Sequence, residues 1–173
     1  MMVEQRFARE TANTMTELVL PNDTNTLGNL MGGRLMHWMD IAAAISAMRH
    51  CNKPVVTASV DNVSFARPIK LGNVLSIETK VTRSFNSSME VYLKVSGEDL
   101  QAQTKYISNE AYFTFVALNP DGTPTKVPEL IAETHEETEK YNGALRRRQL
   151  RLILGGKMKV DEAVELKALF IKN

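Results

Sequence analysis

Three polar features between residues 21 and 51 could act on a carbonyl group, and each also admits a purely structural explanation. Asp40 is the single carboxylate in residues 35–50, a stretch rich in Ala, Met and Leu. A carboxylate enclosed by apolar neighbours loses hydration, so it must be paired, reach a pocket or change its protonation. Two readings stay open: Asp40 serves a reaction, or it is held in an ion pair, with Arg34 and Lys70 as candidate partners. Just before this stretch come Gly32 and Gly33. Unpaired amides at a helix start carry partial positive charge, and glycines there let a substrate oxygen approach them; the alternative is that the pair only makes a tight turn. Asn25 lies in Pro21-Asn22-Asp23-Thr24-Asn25, dense in turn formers. It either orients a water or a carbonyl or bonds its own backbone, as asparagines in turns do. An acid, an amide and a helix start together point to carbonyl-directed hydrolysis.

Other chemistry finds little support. Cys51 has His50 beside it, but adjacent residues on a helix do not face each other, and a free cysteine behaves as a small buried hydrophobe. There is no Gly-x-Ser-x-Gly elbow and no Gly-x-x-x-x-Gly-Lys-Ser/Thr phosphate loop. His37, His50 and His135 lack the spacing of a zinc protease, so no metal is assigned. Arg146-Arg147-Arg148 either holds a phosphate or forms a solvated helix face.

The elements that position these residues follow from periodicity. A strand ends near Leu20, and the Gly-bearing loop after Pro21 feeds a helix over residues 35–50, apolar on nearly every face and therefore enclosed. From Pro54 the period becomes two, with a strand predicted to end near Phe65. Leu75, Ile77, Thr79 and Val81 alternate with polar residues, as do Met89, Val91, Leu93 and Val95, and Asn86-Ser87-Ser88 suits the hairpin between them. A further strand runs from Ile107 to Ala117. One strand, one long apolar helix and four strands describe an α+β fold, an antiparallel sheet curled around that helix. Its open edge predicts pairing with a second copy. After Pro128 the chain turns charged, and we expect a C-terminal helical extension over 131–173, broken at Gly155-Gly156 and ending in a helix over 161–171, appended to a domain over 1–130.

With 173 residues, 21 Lys plus Arg and 20 Asp plus Glu, the formal net charge is +1. That suits one domain with an appendage and supplies no basic field to draw the protein onto nucleic acid or a membrane. No stretch reaches the ~20 apolar residues that span a bilayer. The lone cysteine fits a reducing compartment, so cytoplasm is the expected location.

The stretches PNDTNTLGNLMGGRLMHWMD, RHCNKPVVTASVDNVSFARPIKLGN, SFNSSMEV and ISNEAYFTFVALNPDG, in this order, resemble the acyl-CoA thioester hydrolases of the hotdog fold, over about residues 12–130. The resemblance implies hydrolysis of acyl-CoA to free acid and coenzyme A without a separate cofactor, coenzyme A being part of substrate and product. It implies Asp40, in the Met39-Asp40 step, as general base or nucleophile, with Asn25 and the Gly33 amide polarising the thioester. Asp40 and Asn25 would then meet across a dimer, one from each subunit, within a hexamer of three dimers. For coenzyme A, the matching positions are Gly32 at the helix start, Ser59, Val60 and Asn62 along the pantetheine arm, and Arg83, Ser84, Ser87 and Ser88 in the hairpin. The helix departs from the family in reading His37-Trp38 before Met39-Asp40, which would reshape the acyl channel. Two alternatives are a hotdog dehydratase or hydratase, which needs a histidine opposite the acid, and an acyl-CoA binding module without turnover.

Overall fold

The structure is a computed structural model and describes residues 4–61 and 63–170. Five antiparallel strands form the main sheet: β2 (Asn13–Leu18), β3 (Val55–Val60), β4 (Val74–Ser84), β5 (Ser88–Asp99) and β6 (Thr104–Ala117) in the order β2-β4-β5-β6-β3. The helix α1 (Gly32–Cys51) lies against one face of it. Alternation decides which face: Leu75, Ile77, Val91, Leu93, Phe113 and Phe115 are fully or almost fully buried and share a core with Leu35, Met39, Ala43 and Ala47 of the helix. Each large side chain of this kind contributes roughly 1.5–3 kcal/mol relative to exposure. Inside this interface Ser46 and Thr79 satisfy each other, Oγ to Oγ1 at 2.7 Å. α1 ends at Asn52, in the left-handed region at φ 52°, a position asparagine tolerates.

α1 is not enclosed all round. His37, Ile41 and Met48 are exposed along one stripe, Ile41 by 39% and Met48 by 41%. β3 is an edge strand and carries exposed Val56 and Val60. Both surfaces carry apolar side chains that no other described residue covers.

β3 also departs from regular pleating. Thr57 pairs with Phe115 and Ser59 with Thr114, so Ala58 forms a bulge. In an unbroken strand Thr57 and Ser59 would share a face; the extra residue turns Thr57 toward α1 and Ser59 to the outer face of the sheet. The strand stops at Val60 rather than near Phe65, because the next residue, Asp61, is drawn to Arg151 by an ion pair of 2.7 Å.

Two short strands that periodicity does not reveal, β1 (Gln5–Phe7) and β7 (Glu129–Ile131), pair in parallel. The helix α2 (His135–Leu154) then crosses the outer face of the sheet. Its start is a capping box: Glu137 N donates to Thr134 Oγ1 at 3.1 Å, and Thr134 N to Glu137 Oε2 at 3.2 Å. The final helix is much shorter than the 161–171 expected, consisting of a 3-10 turn, Val160–Glu162, and the single-turn α3 (Val164–Lys167). Val164, Leu169 and Phe170 stay exposed, so no apolar burial offsets the cost of nucleating a longer helix.

Candidate functional site

The site is assembled where the loop of residues 21–31 meets the start of α1 and where β3 passes the middle of that helix. Asp40 stands two turns into α1, partly buried, and Thr57 Oγ1 of β3 donates to its Oδ1 at 2.6 Å. No cation pairs with Asp40 among the described residues: Arg34, a candidate partner, instead binds Asp23, Nε to Oδ1 at 2.9 Å, and Lys70 makes no ion pair. One oxygen of Asp40 is thus fixed by a hydroxyl and the other is left to accept from water or substrate.

The loop is pinned by Asp23, which is 7% exposed. Its Oδ2 accepts from Leu20 N at 3.1 Å and its backbone carbonyl from Met31 N at 2.9 Å. Two residues on, Asn25 Oδ1 accepts the amides of Leu27 at 2.9 Å and Asn29 at 3.2 Å. Gly28, at φ 72°, closes this turn by donating to Asn25 O. The turn reading of Asn25 therefore holds for its oxygen, while Nδ2 of this exposed residue makes no hydrogen bond among the described residues and keeps its donors for a ligand. Among those residues no hydrogen bond joins Asn25 to Asp40.

At the head of α1, Met31 supplies no side-chain cap and the first intrahelical bond is Leu35 N to Met31 O, so the amides of Gly32, Gly33 and Arg34 have no partner among the described residues. A Cβ at Gly33 would meet nothing within 4 Å, whereas one at Gly32 would touch the Phe65 ring at 3.6 Å. Gly33 is exposed and leaves open space at the head of the helix, beside a half-exposed aromatic ring.

The remaining predicted residues divide by face. Ser59 and Val60 follow Thr57 on β3; Asn62 lies outside the described residues. Arg83 Nη1 donates to Tyr141 O at 3.1 Å, its guanidinium 4.1 Å from the Tyr141 ring centre, and Ser84 Oγ accepts from Leu130 N. These two fasten β4 to the C-terminal segment. Ser87 lies in the β4–β5 turn and Ser88 opens β5. Cys51 is buried, and burial pushes its thiol up, away from the reactive thiolate form. His50 is fully buried with Nε2 on Pro128 O at 2.9 Å, and burial pushes its pKa down. Trp38 is buried, with the Arg34 guanidinium 5.8 Å above its ring. Thr57 was not anticipated from the sequence: in Val55-Val56-Thr57-Ala58-Ser59-Val60 it reads as one β-branched strand residue among several.

Residues 27–102 match the thioesterase superfamily. The Bacillus subtilis protein named uncharacterized acyl-CoA thioester hydrolase YkhA is 42% identical over 144 residues, 83% of this chain and 84% of that one. Among solved structures, an apo-hexameric acyl-CoA thioesterase superposes with a TM-score of 0.86 at 35% identity, covering 88% of this chain and 98% of the other. A Staphylococcus aureus acyl-CoA hydrolase in complex with butyryl coenzyme A, coenzyme A and coenzyme A disulfide gives 0.81 at 35% identity, covering 88% and 95%. That hydrolase has also been solved with alanine replacing an asparagine, an aspartate or a threonine, the three positions spaced 15 and then 17 residues apart. The hotdog sheet and helix, the open carboxylate and these likenesses agree, and the chain belongs to the acyl-CoA thioester hydrolases of the thioesterase superfamily.

Proposed function

We propose that this chain hydrolyses acyl-CoA with Asp40 as the general base that deprotonates water, while Asn25 Nδ2 and the Gly33 amide polarise the thioester carbonyl. The observation that carries this reading is the Asp40 carboxylate, held by the Thr57 hydroxyl and without a cation partner among the described residues. A cation would lower its basicity, whereas a single neutral donor fixes its direction and leaves an oxygen for water. The unpaired amides at the head of α1 lie where developing negative charge on the carbonyl oxygen would be stabilised. The spacing of Asn25, Asp40 and Thr57, 15 and 17 residues, equals that of the three residues replaced by alanine in the Staphylococcus aureus hydrolase, which supports assigning the three together.

The active unit is a dimer, in which Asn25 of one subunit serves Asp40 of the other. Support comes from the two apolar surfaces left open within the chain, the Ile41–Met48 stripe of α1 and the β3 edge. The hexameric state of the relative supports three such dimers. The chain acts in the cytoplasm, a reading its single buried cysteine supports. A dehydratase needs a histidine opposite the acid, but His50 is spent on Pro128 at the far end of α1.

Thiol release from short, medium and long acyl-CoAs tests the reading: turnover of at least one class is expected, and none from any would overturn it. Thr57→Val, which removes only the hydroxyl donor, should lower kcat about tenfold or more and leave KM for acyl-CoA within about twofold, because a hydrogen bond to a charged group contributes ~1.5–3 kcal/mol. An unchanged kcat would show that the bond does not orient the base.

A further inference from the structure

We propose that Arg34 and Asp23 are positioning residues for the hydrolysis, an ion pair that holds the loop carrying Asn25 in register with the head of α1. The proposal rests on the hydrolase reading, in which Asn25 Nδ2 and the Gly33 amide polarise the thioester carbonyl. Both residues act through Asn25 rather than on the substrate.

The loop is attached on two sides. Toward the segment before β4, Leu30 N donates to Ile69 O at 2.7 Å and Leu71 N to Gly28 O at 2.9 Å. Those bonds leave its position against α1 unset. That second attachment runs through Asp23, two residues before Asn25: its carbonyl accepts from Met31 N, and its Oδ1 pairs with Arg34 Nε at 2.9 Å. Arg34 follows Gly33 directly, and among the described residues no other side chain of α1 forms a hydrogen bond or ion pair with the loop. Asn25 has little freedom of its own, because its Oδ1 is taken up by the amides of Leu27 and Asn29. Its Nδ2 therefore goes wherever the loop is placed.

The chemistry of the pair fits a positioning role better than a turn alone. Closing the 3-10 turn Pro21–Asp23 needs only an acceptor for Leu20 N, which a neutral asparagine would supply. A carboxylate that is 7% exposed loses hydration, and the guanidinium is what offsets that cost. Arg34 is aimed in turn by Trp38, one turn further along α1, whose buried ring centre lies 5.8 Å from the guanidinium carbon. Carboxylate, guanidinium and indole thus tie the loop to the first two turns of α1. A displacement of about 1 Å in a group that orients a reacting carbonyl can cost up to about 10²-fold in rate, so a link of this kind reaches the chemistry without touching it.

The test places Arg34→Met, which keeps an apolar stem beside Trp38 and removes the charge, in two backgrounds. In the otherwise native enzyme kcat for acyl-CoA is expected to fall about tenfold or more with KM within about twofold, and Arg34→Lys, which returns the charge without the planar fork, should recover part of the loss. Asp23→Asn, which keeps an acceptor for Leu20 N, should lower kcat similarly. In an Asn25→Ala background Arg34→Met should change kcat less than about twofold, because the group it positions is gone. An arginine that served the fold alone would lower kcat by the same factor in both backgrounds; that result, or no loss in the first, overturns the proposal. Hydrogen exchange gives a readout independent of turnover: the amides of Leu27, Asn29 and Met31 should exchange faster in Arg34→Met, and unchanged exchange would also overturn it. Native turnover by Asn25→Ala alone would count against the catalytic role of Asn25, while the exchange comparison still decides whether Arg34 places the loop.

Discussion

Asp40→Asn is expected to lower kcat for acyl-CoA by about 10²–10⁴-fold, the range that positioned base catalysis supplies, with KM little changed and the oligomer intact. The reasoning is local. Asparagine keeps the size and polarity of the side chain and can still accept from Thr57 Oγ1 through its carbonyl. What it lacks is the ability to take a proton from water. Asp40 is only partly buried and carries no ion pair among the described residues, so its replacement strands no cation among them and should cost little stability. Near-native turnover by a folded Asp40→Asn would reject the assignment. A single turnover in ¹⁸O-labelled water tests the base role from one side: label is expected in the fatty acid, and label in the Asp40 carboxylate would require a mixed anhydride with Asp40 opened at the Asp40 carbonyl and would overturn it.

The residues that make this prediction possible were legible because they break the pattern around them. A stretch with no proline or glycine and one carboxylate among Ala, Met and Leu defines a helix and marks Asp40 in the same reading. The main strands were legible because one face of each packs on that helix, which forces alternation. The Ala58 bulge was not, since a strand read with strict period two puts Thr57 and Ser59 on one face, and nothing in the composition of Val55-Val56-Thr57-Ala58-Ser59-Val60 reports the extra residue. Thr57 was missed for that reason. The choice between an ion-paired and a free Asp40 was equally closed to sequence, because it turned on whether Arg34, earlier on the same helix, would find Asp23 in the preceding loop. The docking of α2 was hidden differently. Its contact surface is charged, with Arg147 and Arg151 meeting a carboxylate on the outer face of β5, so hydropathy describes a solvated helix where the fold has a buried ion network.

That network gives the second large effect, on stability. Glu90 is fully buried on β5 and accepts from four donor groups: Arg147 Nε at 3.1 Å to one oxygen and 3.2 Å to the other, Arg147 Nη2 at 2.8 Å, Arg151 Nη1 at 3.0 Å and Thr82 Oγ1 at 2.8 Å. Arg147 also stacks on Tyr112, 3.8 Å from its ring centre, and donates to Lys140 O. The guanidinium lies so close to α2 that a Cβ at Gly143 would stand 2.7 Å from Nη1, so a larger residue there would displace the Arg147 side chain from this position. Arg147→Ala removes the two-pronged partner and leaves Glu90 buried with Arg151 alone, which Asp61 already shares. Breaking a buried pair from one side typically costs about 3–5 kcal/mol, and for a chain of this size a Tm lower by on the order of 10 °C is expected in thermal unfolding. Removing both charges should cost less than removing one: Arg147→Met combined with Glu90→Gln is expected to recover a substantial part of the loss, since the penalty lies in the stranded carboxylate rather than in the missing attraction. If the double variant is as unstable as the two single losses added together, the pair is not coupled and the account of Glu90 fails. Because Arg151 joins Glu90 to Asp61 at the end of β3, the same Arg147→Ala variant should also lower kcat at temperatures where it remains folded, through the strand that carries Thr57 to Asp40.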